Sequence, residues 1–128
     1  MLDLIIKNGQ CFIDGEVKDV DVAIKDGKIQ KIGQISEEAK ETINAEGHTV
    51  LPGCIDTQTH FREPGSTDTE DLHSGGRAAI AGGITSVFEM PNTNPPTANE
   101  KEFQKKLDLA KDRMFCNYAF YFGATPTC

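Results

Sequence analysis

Apolar and polar residues alternate along much of the first 50 residues, which is the pattern of half-buried β-strands. Residues 20–24 and 28–32 both alternate, and the Asp26-Gly27 pair between them predicts a hairpin with a two-residue turn. Shorter apolar runs that end at turn residues predict three more strands: residues 4–6 before Asn8-Gly9, and residues 42–45 and 48–51 on either side of Glu46-Gly47. We therefore expect residues 1–51 to form a β-rich segment.

From residue 52 onward the pattern changes to an alternation of strands and helices. The predicted strands cover residues 54–57, 84–90 and 117–122. A Thr-x-x-Glu pair precedes each predicted helix, and such pairs act as capping boxes: Thr67 with Glu70, and Thr97 with Glu100. The first helix is expected to end at Gly82-Gly83. Strand–helix–strand order predicts an α/β fold with a parallel sheet.

The second predicted helix has an apolar stripe and a charged remainder. Its apolar residues recur at helical spacing and predict a face that packs on the sheet: Phe103, Leu107, Ala110 and Met114. The Lys and Glu residues between positions 98 and 112 predict a solvated face.

Polar side chains gather where the predicted strands end. Alternation along the first strand places Asp56, Gln58, His60 and Arg62 on one side. An acid, an amide, an imidazole and a guanidinium in one row would be costly to bury, so this strand end is expected to open into a pocket. The loop that begins at Asn92 and residues 123–125 follow the next two strands, and ligands bind at this end of parallel sheets.

Composition excludes some classes of function. The 128 residues carry a formal net charge of −7, which argues against nucleic-acid binding. No apolar run is long enough to span a membrane, and the first residues lack the features of a signal peptide. We expect a cytoplasmic protein. Its four cysteines, which have no Cys-x-x-Cys spacing, are expected to be free and mostly buried: Cys11, Cys54, Cys116 and Cys128.

Three motifs together resemble the N-terminal part of a dihydroorotase, a cyclic amidohydrolase of the amidohydrolase superfamily. The motifs are Pro52-Gly53-x-Ile55-Asp56 continuing to His60-Phe61-Arg62-Glu63-Pro64-Gly65, Gly82-Gly83-Ile84-Thr85, and Met90-Pro91-Asn92-Thr93-Asn94-Pro95-Pro96-Thr97. The resemblance implies an α/β fold in which a small β-sandwich-like segment, residues 1–51, precedes a (β/α)₈ TIM barrel that begins at residue 52 and continues through residue 128. It also implies one or two zinc ions and the interconversion of N-carbamoyl-L-aspartate and (S)-dihydroorotate in pyrimidine biosynthesis.

The resemblance also implies roles for individual residues. His60 would be a zinc ligand, and Arg62 and Asn92 would hold the carboxylate of the substrate. We further infer that Asp56 orients the histidine from the second coordination shell. Gln58 stands where the family has the first histidine of a His-x-His pair, and an amide oxygen is a poor zinc ligand. Three outcomes follow: a single metal held by other residues, a weak metal site that includes Gln58, or a non-catalytic relative.

Length limits what this chain is expected to do alone. A (β/α)₈ barrel needs about 200 residues, and only three of its strands are predicted here. The resemblance places the remaining ligands and the catalytic aspartate beyond residue 128, so we expect an incomplete barrel, an inactive isolated chain and poor solubility.

Two other functions remain open beside the dihydroorotase. One is hydrolysis of another cyclic amide, as in allantoinases and hydantoinases. The other is a non-catalytic dihydroorotase-like protein that assembles with aspartate transcarbamoylase. The expected partners are the small-molecule substrate and further copies of the chain, with no nucleic acid and no membrane.

Overall fold

The structure is a computed structural model that describes residues 1–126, and the chain divides into two compact units, Met1–Pro52 and Gly53–Cys128. The first unit is all β, as its alternating pattern predicts. Its strands are β1 (Leu2–Ile13), β2 (Glu16–Lys25), β3 (Lys28–Gly33), β4 (Ala39–Asn44) and β5 (Thr49–Val50).

The five strands of the first unit form one mixed sheet. Its order is β3-β2-β1-β4, and β5 also pairs with β1. The β1–β2 and β2–β3 pairs are antiparallel, whereas β4 and β5 run parallel to β1. The described residues of this unit therefore form one hydrogen-bonded sheet, and the sandwich-like arrangement implied by the resemblance stays a prediction.

The predicted turns of the first unit have different outcomes. Asp26-Gly27 does close a hairpin, in which Lys25 pairs with Lys28. Asn8-Gly9 does not form a chain-reversing turn, because it lies inside β1 at a shift in the register with β2. Asn8 adopts a φ of 60°, and its N–H donates to the carboxylate of Asp21 at 3.1 Å. The turn signal thus marks an irregularity within a long strand.

The second unit alternates strands and helices, as predicted. Its elements are β6 (Cys54–Thr59), α1 (Leu72–Ala81), β7 (Ile84–Glu89), α2 (Glu100–Ala110) and β8 (Asn117–Phe120). The strands form a parallel sheet in the order β6-β7-β8, with one helix between each pair of strands. No helix within residues 1–126 is long and apolar enough to cross a bilayer.

Both helices begin later than the Thr-x-x-Glu pairs predict. Asp71 is the N-cap of α1, and its carboxylate accepts from the N–H of Ser74 at 2.7 Å. Asn99 is the N-cap of α2 and accepts from the N–H of Glu102 at 3.0 Å. The predicted end of α1 is confirmed, because Gly82 is its C-cap.

The core of the second unit lies between the sheet and the two helices. It consists of the buried residues Phe61, Leu72, Ala79, Val87, Ala110 and Cys116. Lys106 also lies on the buried face of α2 and is 0% exposed, so the prediction of a solvated face is wrong at this position. The charge is accommodated because Glu89, at the end of β7, lies 3.1 Å from its ammonium group.

The cysteines of the described part are free. Cys11 and Cys116 are buried, and burial raises the pKa of both thiols, whereas Cys54 is exposed. Cys128 lies outside the described residues.

Candidate active site

Backbone hydrogen bonds hold the carboxyl ends of the three parallel strands together. The N–H of Met90 donates to the carbonyl of Thr59 at 3.0 Å, which links the ends of β6 and β7. The N–H of Tyr121 donates to the carbonyl of Glu89 at 2.9 Å, which links the ends of β7 and β8. The polar loops that follow these strands therefore start from adjacent points on one edge of the sheet.

His60 and Asn92, from the loops after β6 and β7, are in direct contact. The Nδ1 atom of His60 lies 3.0 Å from the Oδ1 atom of Asn92. An amide oxygen can only accept, so this contact puts the imidazole proton on Nδ1 and leaves the Nε2 lone pair available to a metal or a ligand. We call these two side chains the imidazole–amide pair.

The loops that carry this pair also pack on each other. The N–H of Asn94 donates to the carbonyl of Pro64 at 3.0 Å. Gly65 has a φ of 115°, and a Cβ atom there would lie 2.6 Å from the Cβ of Asn94. The close approach of the two loops therefore requires glycine at position 65.

Glu63 fixes the loop after β6 to the start of α1 and to the turn that follows α2. Its carboxylate accepts from both terminal nitrogens of Arg113, at 2.8 and 3.1 Å, and from the N–H of Leu72 at 3.0 Å. The hydrogen bond to Glu63 raises the pKa of Arg113, so the guanidinium stays charged. Sequence reasoning missed this contact because its partners are 50 positions apart.

Arg62 lies between His60 and Glu63 in the sequence. Its backbone adopts a φ of 62°, and its carbonyl accepts from the N–H of Ser66 at 2.9 Å. The side chain is exposed, and its guanidinium forms no hydrogen bond or ion pair within residues 1–126. Because the backbone turns at Arg62, the alternation of side chains along β6 does not continue to this residue. The prediction that Arg62 lies on the same side of the strand as Asp56 relied on that alternation.

Asp56 does not have the partner that the sequence predicted. Its Oδ1 atom accepts from the N–H of Gln58 at 2.9 Å, within its own strand. Among the described residues, the group that accepts from the His60 ring is the amide of Asn92. Asp56 makes no hydrogen bond to His60 within residues 1–126, and its second-shell role stays a prediction.

Gln58 lines a cavity at the strand ends. The cavity has a volume of about 490 Å³, and residues from the ends of all three parallel strands line it, among them Gln58, Met90 and Tyr121. The amide of Gln58 is thus available to a ligand at the edge where the polar loops converge.

The described residues do not form a metal site by themselves. Within residues 1–126, no cluster of three or more His, Cys, Asp and Glu side chains is placed to hold a metal ion. His60 offers one imidazole nitrogen in a suitable tautomer, whereas a zinc ion needs three or four ligands in proteins. A zinc ion fits this edge of the sheet only with ligands from outside the described residues.

The residues described above lie in a segment that matches a known protein family. Residues 49–127 match the model of the amidohydrolase family. An allantoinase of Escherichia coli O1:K1 is 45% identical over 113 residues, which are 88% of this chain and 25% of that protein. An allantoinase of Salmonella choleraesuis is 44% identical over the same shares of the two chains.

Comparison of the folds identifies enzymes of similar architecture. The L-hydantoinase (dihydropyrimidinase) of Arthrobacter aurescens has a TM-score of 0.88 and 32% identity over 98% of this chain and 29% of its own. A D-hydantoinase of a Thermus species has a TM-score of 0.78 and 28% identity over 94% and 27% of the two chains. The chain spans 25% of the length of the curated allantoinase. Because the family model covers more than half of its residues, the chain belongs to the amidohydrolase family.

Proposed function

We propose that this chain is part of a zinc-dependent dihydroorotase, which interconverts N-carbamoyl-L-aspartate and (S)-dihydroorotate in pyrimidine biosynthesis. Arg62 is the observation that carries the proposal, because its exposed guanidinium lies two residues after His60 and has no partner within residues 1–126. A guanidinium binds a carboxylate through two parallel hydrogen bonds. Dihydroorotate is a cyclic amide that bears such a carboxylate, and family membership supports hydrolysis of an amide.

Each residue of the proposed site has a distinct task. Asn92 holds the Nδ1–H of His60 and leaves Nε2 free to hold a metal, while its own NH₂ group remains a donor to the substrate carboxylate. Arg62 orients the substrate ring through the same carboxylate. Zinc, when bound, polarises the amide carbonyl and lowers the pKa of a water molecule. The further metal ligands and the proton-transfer group are proposed to come from the rest of a (β/α)₈ barrel.

A second candidate is the hydrolysis of allantoin or a hydantoin. The allantoinase and hydantoinase relatives favour it. These rings carry no carboxylate, so a charged anchor at position 62 would contribute little to their binding. Substrate preference and the role of Arg62 therefore separate the two candidates.

The test uses the protein expressed from its full-length gene and measures kcat/KM for dihydroorotate, allantoin and hydantoin. Arg62→Met is compared with Arg77→Met, which removes an exposed guanidinium from α1. Hydrogen bonds to charged groups contribute about 1.5–3 kcal/mol, so Arg62→Met should lower kcat/KM for dihydroorotate about 10- to 100-fold. The control should leave it unchanged. Preference for allantoin or hydantoin, with no effect of Arg62→Met, would establish the second candidate instead.

A second variant of the full-length protein, Gln58→His, tests the effect of having Gln58 where the family has a histidine. Zinc content and dihydroorotate hydrolysis are measured for the parent and the variant. We expect the parent to contain zinc and to turn over substrate, which would make Gln58 part of a working site. Recovery of both properties only in Gln58→His would mean a site disabled at one position. Inactivity of both proteins would support the non-catalytic assembly partner.

A further inference from the structure

Glu89 and Lys106 form an ion pair in the interior of the second unit. Their side chains are 1% and 0% exposed, and the ammonium nitrogen lies 3.1 Å from a carboxylate oxygen. Removing two charges from water is costly, and apolar residues of similar volume often serve a core equally well. The position of this buried ion pair therefore requires an explanation other than core packing.

Lys106 reaches from α2 to the segment that follows β7. Its ammonium group donates to the carbonyl of Met90 at 3.3 Å and to the hydroxyl of Thr93 at 3.5 Å. These acceptors flank Asn92 on both sides. Glu89 supplies the countercharge to the ammonium nitrogen, although its Oε2 atom makes no hydrogen bond within residues 1–126. The centre of the Phe120 ring lies 5.3 Å from the same nitrogen.

Glu89 reaches in the opposite direction, to the segment that follows β6. Its Oε1 atom accepts from the N–H of Phe61 at 3.2 Å, and Phe61 follows His60 directly. Burial raises the pKa of Glu89, and the nearby charge of Lys106 opposes this shift without cancelling it.

We propose that Glu89 and Lys106 are positioning residues of the candidate active site. Glu89 holds the backbone of the residue after His60, and Lys106 holds the Met90 carbonyl and the Thr93 hydroxyl on either side of Asn92. The ion pair joins these two attachments in the core. The inference rests on the proposed function, because it treats the imidazole–amide pair as part of the reacting site. Neither residue needs to touch the substrate.

The experiment compares Lys106→Met with Lys105→Met in the full-length protein. The methionine side chain keeps most of the apolar stem of Lys106 but cannot donate to the carbonyl of Met90. Lys105 is the control, since it lies one position away on α2 with a side chain that is 51% exposed and 3.8 Å from Glu102. Three quantities are measured: the His60 Nδ1–Asn92 Oδ1 distance in crystals of the metal-free proteins, the zinc dissociation constant by chelator competition, and kcat/KM.

In Lys106→Met we expect the contact between the imidazole–amide pair to open beyond hydrogen-bonding distance. Loss of groups that orient a metal ligand weakens metal binding about 10- to 100-fold, and the same fall is expected for zinc and for kcat/KM. Lys105→Met should match the parent in all three measurements. A folded Lys106→Met protein that retains the contact and the parent's zinc affinity would overturn the inference, because simple destabilisation leaves both unchanged in the folded state.

Two further results keep this test separate from that of the proposed function. If the parent hydrolyses none of the substrates or binds no zinc, the crystal distance alone decides the positioning role. If Lys106→Met does not fold, Glu89→Gln/Lys106→Met replaces it, because it removes both charges and retains an acceptor for the N–H of Phe61. The contact between His60 and Asn92 is expected to open in this double variant too. An intact contact would equally refute the positioning role.

Discussion

Gly75, in the first half of α1, packs closely against the residue that follows His60. A methyl group at Gly75 would overlap the ring of Phe61 and would lie 2.6 Å from its Cε1 atom. Phe61 is only 8% exposed and belongs to the core of the second unit. Glycine within this helix therefore permits the residue after His60 to be buried.

Gly75→Ala should destabilise the protein, although alanine normally favours a helix by about 1 kcal/mol. Overpacking of this kind costs about 1–3 kcal/mol, because the ring must leave its position. The free energy of unfolding is measured in urea. Gly76→Ala is the comparison and should destabilise less, since a methyl group there would be tight but not overlapping, 3.3 Å from the backbone nitrogen of Phe115. A gain in stability for Gly75→Ala would contradict the packing described above.

The sequence predicted where the polar residues gather but not which of them touch. Strand ends in a parallel sheet meet at one edge, and this rule alone brings His60 near Asn92. The partner of Asp56 depends on a local choice between a hydrogen bond within its strand and one to a neighbour. The burial of Lys106 depends on Glu89, which is distant in sequence, so no local pattern around α2 reveals it.

At the level of the elements, the pattern of apolar and polar residues predicts the strands, whereas the Thr-x-x-Glu pairs do not predict the first residues of the helices. Thr97 matched the capping rule, but it is 1% exposed, and its N–H donates to the carbonyl of Pro91 at 2.9 Å within the loop. Asn99 then caps α2 two positions later. Asp and Asn are better caps than Thr, and the loop contact of Thr97 further favours the later start of α2.

The cap of α1 predicts a dependence of stability on pH. The hydrogen bond from the N–H of Ser74, as the largest cause, lowers the pKa of Asp71 below its ordinary value of 3.8. A lowered pKa stabilises the fold above the unfolded value, and this contribution is lost as the pH falls through the folded value. Asp71→Asn keeps a capping oxygen without the charge. The parent should therefore lose more of its thermal stability than Asp71→Asn on acidification below about pH 4.

Thermal unfolding midpoints from about pH 6 to about pH 3 measure this difference. Asp68→Asn is the control, because Asp68 is an exposed carboxylate that forms no hydrogen bond within residues 1–126. Its midpoints should fall in parallel with those of the parent. Equal acid sensitivity of Asp71→Asn and the parent would show that the charge of the cap contributes nothing.

At the level of the whole molecule, the second unit presents open strands with apolar surface. Within residues 1–126, β6 and β8 each pair on one side only. Ile55 on β6 is 62% exposed, and Phe122, just after β8, is 52% exposed. Unpaired strands with such side chains readily pair with other chains. In the proposed barrel both edges would be paired, because a closed sheet has none.

The 128-residue chain expressed alone should therefore self-associate and hydrolyse no dihydroorotate, allantoin or hydantoin, since its described residues supply only one imidazole to the proposed metal. Light scattering during gel filtration measures the association. Ile55→Lys should reduce it, because a charge on an edge strand blocks pairing. Ile80→Lys places the same charge on α1, where the side chain is 43% exposed, and should have less effect. If edge pairing is not the cause, the two variants will behave alike. A monomeric chain would refute the open-edge argument, and turnover by this chain would refute the need for further ligands.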